Sequence, residues 1–141
     1  MVERDYFRGD QTGGVTAPDL SKQCEYPDHI VNARGKKTAF TSISLDRNRI
    51  EPFGEVDYLL LRQKAVADGH EIVEHEDLVA ALHAIASSEE KAARLKAIQA
   101  MRYARKRKEG LVRWVFDISG VARKDIVTWG FNHVQPYFQR V

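Results

Sequence analysis

The sequence predicts an α+β fold, in which two consecutive amphipathic helices interrupt a chain otherwise made of strands and turns. Residues 56–62 are apolar on both faces, with Val56, Tyr58 and Leu60 on one side and Leu59 and Leu61 on the other, as a buried central strand requires. From Glu76 the period lengthens: Leu78, Leu82 and Ile85 recur at helical spacing. Beyond the helices, Val112, Trp114, Phe116 and Ile118 alternate with Arg113 and Asp117, the two-residue period of a half-buried strand.

In chain order, Tyr6 to Arg8 makes a short first strand. An irregular segment follows, marked by Gly13-Gly14, Pro18 and Pro27 and reaching about Lys37. So long a loop inside a compact domain points to the wall of a cleft. Residues 40–45, Phe-Thr-Ser-Ile-Ser-Leu, form the next strand. Side chains two apart share a face, so Phe40, Ser42 and Ser44 project together and Ala39, Thr41, Ile43 and Leu45 oppose them. A face carrying hydroxyls suits either a solvated edge strand or a binding surface. Asp46-Arg47-Asn48-Arg49 and Pro52-Phe53-Gly54 read as turn or short helix. Ser87 with Glu90 offers a capping box for the second helix, whose seam is Leu95, Ile98 and Met101 and which runs to Lys108 and stops at Gly110. The two helices form a hairpin between strands. Ile126 to Phe131 and Val134 to Arg140 supply two further strands, the last an edge strand because of Pro136.

With 141 residues the chain is one domain, long enough to bury roughly two-thirds of its unfolded surface. Its 43% hydrophobic and 30% charged residues are those of a globular protein, and no apolar run approaches a membrane span. The single cysteine, Cys24, excludes an internal disulfide, and nothing near Met1 resembles a signal sequence, so a reducing cytosol is the expected place of action. Net charge is only +2, but Arg102, Arg105, Lys106, Arg107 and Lys108 gather at one helix end. That is more than the helix dipole needs, and it suits either a solvated helix end or attraction to nucleic acid or an acidic partner.

Tyr6-Phe7-Arg8-Gly9-Asp10 places an arginine after two aromatics and before a glycine, and the strand Phe40-Thr41-Ser42-Ile43-Ser44-Leu45 follows. Together these resemble the mono-ADP-ribosyltransferases, in the arginine–serine–glutamate group that includes cholera toxin. Arg8 falls on the family's NAD-gripping arginine on the first strand. Ser42 and Ser44 fall on the first and last serines of its Ser-Thr-Ser run, with Ile43 in place of the threonine. Shorter similar pieces are Ala33-Arg34-Gly35 leading to Thr38-Ala39-Phe40, and Ile118-Ser119-Gly120-Val121 leading to Asp125-Ile126-Val127-Thr128-Trp129. The resemblance implies two small, mainly antiparallel sheets around an NAD cleft, with an inserted helical hairpin, in a single domain over residues 1–141. It implies the catalytic part of a larger bacterial toxin, with NAD as co-substrate, no metal, and a protein or structured RNA as acceptor. A cognate immunity or antitoxin protein, no membrane partner, and action in a target cell's cytoplasm after delivery are implied in the same way.

The chemistry sets requirements for each residue. Cleaving NAD breaks a glycosidic bond to a positively charged nicotinamide and develops positive charge on the ribose, so an enzyme must hold the pyrophosphate and place negative charge nearby. Arg8 can donate two parallel hydrogen bonds to phosphate or ribose oxygens. Gly9 would let backbone approach the nicotinamide amide, with Asp10 beside it in the cofactor-binding set. Ser42 could orient a carboxylate and Ser44 support it, the two groups meeting Arg8 across one dinucleotide-sized hollow. The family's glutamate begins a late strand. Glu109 occupies that place, although the Glu-x-Glu or Gln-x-Glu signature is absent and Lys108 precedes it. A solvated helix-end glutamate fits Glu109 equally, and Glu51, Glu55, Glu71, Glu74 and Asp117 are the alternatives.

Other constellations are weaker. His29, His70, His75, His83 and His133 have no metal-ligand spacing and read as solvated residues. Cys24 lacks a neighbouring base and reads as inert. Trp114 and Trp129 read as core. Two rival functions use the same residues differently: an NAD glycohydrolase with water as acceptor, or a noncatalytic module binding RNA or protein.

Overall fold

The computed structural model describes residues 4–32, 37–47 and 54–141. Ala33-Arg34-Gly35, Asn48-Arg49, Glu51 and Pro52-Phe53 of the sequence reading lie outside the described residues. The fold is α+β, with six strands and five α-helices in the described residues. The strands are β1 (Phe7–Asp10), β2 (Phe40–Ser44), β3 (Val56–Leu60), β4 (Glu71–Val73), β5 (Glu109–Arg113) and β6 (Phe138–Arg140). The helices are α1 (Tyr26–Asn32), α2 (Arg62–Ala67), α3 (His75–Ala86), α4 (Lys91–Arg107) and α5 (Ile126–Val134).

One antiparallel sheet runs in the order β4-β5-β2-β1-β3-β6, which corrects the expectation of two separate sheets. The expectation nevertheless points at a real seam. β2 pairs with β5 along its whole length and β1 with β3 along its whole length, yet β1 meets β2 only at Phe7↔Ser44. Two three-stranded halves are therefore joined by a single backbone pairing, between β1 and β2.

Alternation along β2 and β5 builds a core on each side. Phe40 and Leu111 pack with Ile30 of α1, Leu78 and Leu82 of α3 and the alanines of α4. Ile43 and Val112 face the other way, toward Tyr6, Trp114, Ile126, Val134 and Phe138. Trp114 is buried and donates from Nε1 to Thr41 Oγ1 at 2.8 Å, and Trp129 packs against the same cluster, so both tryptophans are core residues. β2 is central rather than an edge, and neither of its faces is open to solvent.

The α3–α4 hairpin stands between β4 and β5, as the period change predicted. Its seam differs from the expected one. Ala97, Ala100 and Ala104 are fully buried while Leu95 is exposed, because small side chains let α4 lie close against α1 and α3. Ser87 caps the end of α3 rather than opening α4; Glu90 holds the N-cap position, and its N–H donates to Ser88 Oγ at 3.2 Å. α4 ends at Lys108 in the left-handed conformation, φ 48°, not at Gly110. Gly110 is instead a strand residue, and a Cβ there would lie 2.8 Å from the Tyr6 ring.

Ile126–Val134 is helical where a strand was expected. Ile126, Gly130 and Val134 are its buried residues, a spacing of four that outweighs the β-branched composition. β5 begins at Glu109 and ends at Arg113, earlier than the alternation around Trp114 suggested, and β6 is the expected edge strand with Pro136 in a preceding 3₁₀ turn. α1 lies in the segment read as irregular, with Pro27 at its second residue, where a missing N–H costs the helix nothing.

Candidate active site

The seam between β1 and β2 is filled by Arg8. Where a ladder partner would sit, its Nη1 donates to the Ser42 carbonyl at 3.0 Å, and its Nε donates to Asp10 Oδ2 at 3.0 Å. The expected hollow between the guanidinium and Ser42 is thus replaced by direct contact. Two of the five guanidinium N–H groups are engaged in these bonds, and about a fifth of the side chain (21%) is exposed.

Asp10 is 2% exposed and fully committed to the protein. Besides Arg8 it accepts from the Gln11 N–H at 2.9 Å and from the N–H and hydroxyl of Thr16, each at 2.7 Å. Four donors fill the four acceptor directions of a carboxylate. Asp10 therefore positions Arg8 and closes the turn after β1, instead of contacting a dinucleotide as expected; Gly9 is buried beside it in the β1–β3 ladder, opposite Asp57. Asp10→Asn should cost about 3 kcal/mol, because an amide NH₂ would face existing donors and the guanidinium would lose its counter-charge. A shift of the urea midpoint at unchanged m-value measures it.

His29 is the residue that sequence reasoning missed. It is buried, 5% exposed, and not solvated as expected. Its Nε2 lies 2.8 Å from Ser42 Oγ and its Nδ1 2.5 Å from Thr38 Oγ1. Burial, and then the positive charge of Arg8, pushes its pKa down to about 4, so the ring is neutral at pH 7. A neutral imidazole has one N–H and one lone pair, so one hydroxyl donates to the ring and the other accepts from it. His70 is likewise buried, with Nδ1 accepting the Val115 N–H at 3.0 Å among Trp114, Phe116 and Tyr137, a structural role.

Glu109 opens β5 directly beside Ser44, which in turn pairs with Phe7 of β1. The left-handed turn at Lys108 carries the chain from α4 into the strand. Ser44 pins that turn: its hydroxyl donates to the Arg107 carbonyl at 2.5 Å and accepts from the Asp46 N–H at 3.0 Å. Its role is to support the strand ends. His75 Nδ1 donates to the Glu109 carbonyl at 2.8 Å.

The Glu109 side chain is 3% exposed, and its Oε2 has no hydrogen-bond partner among the described residues. Its Oε1 lies 3.9 Å from Arg107 Nη1. Burial pushes its pKa up to about 7, against the opposing pull of Arg107 and then Arg8.

The alternative carboxylates have other surroundings. Glu74 is bound by Arg62 and by the Tyr6 hydroxyl, which outweigh its partial burial and lower its pKa. Glu55, Glu71 and Asp117 are exposed, and Asp117 accepts the Ser119 N–H at 3.0 Å. Burial raises the Cys24 thiol's pKa, which disfavours a nucleophilic thiolate. Among the described residues there is no cluster of three or more His, Cys, Asp or Glu able to hold a metal, and no helix long and apolar enough to cross a membrane.

Next to this centre lies a trough of about 700 Å³ lined by Arg4, Phe7, Leu45, His75, Arg105 and Lys108, among others. A hollow of about 430 Å³ between α3 and α4 continues it, sharing His75, Glu76 and Arg105. Neither is lined by Arg8 or Ser42. No family model, curated protein or solved structure matches the chain.

Proposed function

We propose that this domain is an NAD-dependent mono-ADP-ribosyltransferase, the effector part of a toxin, which transfers ADP-ribose to a macromolecule. One observation carries the reading: an arginine, a serine and a glutamate from β1, β2 and the start of β5 converge where the sheet halves meet, and the glutamate is buried with an unpartnered oxygen. This is the order of residues along the strands that the resemblance leads one to expect. A buried carboxyl oxygen without a donor also fits a site waiting for a ligand hydroxyl.

Each residue has a task in this reading. NAD supplies a good leaving group, nicotinamide, and a ribose carbon that becomes positively charged as the glycosidic bond breaks. Arg8 keeps N–H groups for a phosphate or ribose oxygen while Asp10 fixes its plane. Glu109 accepts a ribose hydroxyl and, when ionised, stabilises the developing positive charge in a site of low dielectric. Ser42, held by neutral His29, keeps the β2 side of the site in one arrangement. An acceptor's oxygen or nitrogen then takes the ribose carbon; with water as acceptor the same residues make a glycohydrolase.

The second reading is a noncatalytic module binding RNA or protein. It is favoured by the bonding of Arg8 to Asp10 and Ser42, which a purely structural arginine would also make. Labelled NAD incubated with cell lysate separates the two. Label should enter a macromolecule, and Arg8→Ala should reduce transfer by about 10²–10³-fold while the fold is retained. Transfer that survives both Arg8→Ala and Ser42→Ala would sink the assignment. Nicotinamide release that lysate does not alter would indicate hydrolysis instead.

A further inference from the structure

α4 carries seven Lys or Arg residues and no Asp or Glu, in a chain whose net charge is only +2. Part of that charge is used locally: Lys96 pairs with Asp28 at 2.8 Å, Arg94 donates to the Ser88 carbonyl at 3.2 Å, and Arg107 lies near Glu109. Arg102 and Arg105, three apart on one helix face, are exposed, as is Lys108 at the left-handed turn. Arg105 and Lys108 line the trough together with Arg4, Asp5 and Glu76, of which Arg4 and Glu76 pair with each other, and the half-buried Phe7 and His75 lie beside them. The trough ends beside Glu109 in the fold, although Glu109 does not itself line it. Phe7 is paired with Ser44, Ser44 with Glu109, and Lys108 precedes Glu109 in the chain.

We infer that this trough docks a single strand of RNA, with Arg105, Lys108 and Arg102 neutralising its phosphates and a 2′-hydroxyl presented at Glu109 as the acceptor. The inference rests on the transferase reading and names its substrate class. A phosphate-lined strand supplies the charge that a long cationic helix lacks. RNA also places a nucleophilic hydroxyl beside every phosphate, which DNA does not. In the transfer, the 2′-oxygen bonds to the ribose anomeric carbon as the carbon–nitrogen bond to nicotinamide breaks. The electron pair leaves with nicotinamide, and the hydroxyl proton passes to the ionised Glu109 carboxylate.

Docking and chemistry are tested separately. Binding of a short mixed-sequence single-stranded RNA is measured over a salt series, without NAD, for the wild-type protein and for Arg105→Gln/Lys108→Asn. Asparagine at 108 removes the charge while tolerating the left-handed backbone. The wild type should bind with affinity falling steeply with salt, and the double variant should flatten the slope of log K against log salt by about 1.4, or about 0.7 per lost contact. Thermal melts confirm that the variant is folded. Labelled NAD is then supplied with the RNA, with DNA of the same sequence, and with lysate protein. Label in RNA but not DNA is expected. Absence of RNA binding, an unchanged slope in the variant, or label in protein alone overturns the inference while leaving the transferase reading intact. Charge-dependent RNA binding without NAD consumption upholds the docking surface and sinks the transferase reading.

Discussion

Glu109→Gln should abolish NAD cleavage and, at the same time, relieve the protein of a pH-dependent loss of stability. In the transferase reading the catalytic half follows from removing the buried carboxyl group beside the seam whose Oε2 has no donor among the described residues; loss of about 10²–10³-fold in kcat is expected, read as nicotinamide release. The stability half follows from linkage. The pKa of Glu109 stands at about 7 in the folded protein against 4.5 as the reference for the unfolded chain, so between these values the folded state holds a proton that the unfolded state has lost. Stability therefore falls as pH rises across that window, by about 3 kcal/mol for this group. Glutamine does not titrate. The unfolding free energy of the variant, minus that of the wild type, should grow by about 3 kcal/mol from pH 4.5 to 7, whatever constant penalty the amide carries. A flat difference in urea titrations across that range would show that Glu109 is not held protonated by its surroundings. In the transferase reading the ionised form is the catalytic one, so wild-type kcat/KM should also climb with pH, with an apparent pKa near 7.

His29→Ala is the second large effect, and its sign is opposite. His29 has a folded pKa of about 4 against 6.5 unfolded, so between these values the unfolded state binds the extra proton. Stability contributed by keeping the ring neutral is present above 6.5 and lost as pH falls toward 4, again by about 3 kcal/mol. Over pH 4.5 to 6.5 the slopes of Glu109 and His29 cancel in the wild type. Alanine at 29 removes one of them, so the variant should lose stability with rising pH across this range. Transfer should also drop by about 10–10²-fold, because the Ser42 hydroxyl loses its partner. If His29→Ala leaves both the pH profile of stability and the turnover unchanged, the ring is filler and not a positioning residue.

What the sequence revealed and what it hid follow from the range over which each signal acts. The helical hairpin, the serine strand and the edge character of β6 are written in local periodicity and a proline, and they are found where periodicity placed them. The segment 126–134 reads as a strand because Ile126, Val127, Trp129 and Phe131 favour strands locally, whereas the buried spacing of Ile126, Gly130 and Val134 is helical. β4 is three residues long, too short for any period to register. His29 was unreadable for a different reason. Its partners, Thr38 and Ser42, are nine and thirteen positions away, and only the packing of α1 over β2 brings them together. Asp10 reads as a ligand contact because its neighbour Arg8 does; its carboxylate is instead filled by Arg8 and Gln11 on either side and by two donors from Thr16, where the chain folds back.

The lone pairing of Phe7 with Ser44 makes the middle of the sheet its weakest line, with a side chain doing there what backbone does elsewhere. Each half keeps its own ladder, and across the join Ile43 and Val112 share one buried cluster with Tyr6, Tyr58 and Phe138, so side-chain packing fastens what the backbone leaves unlaced.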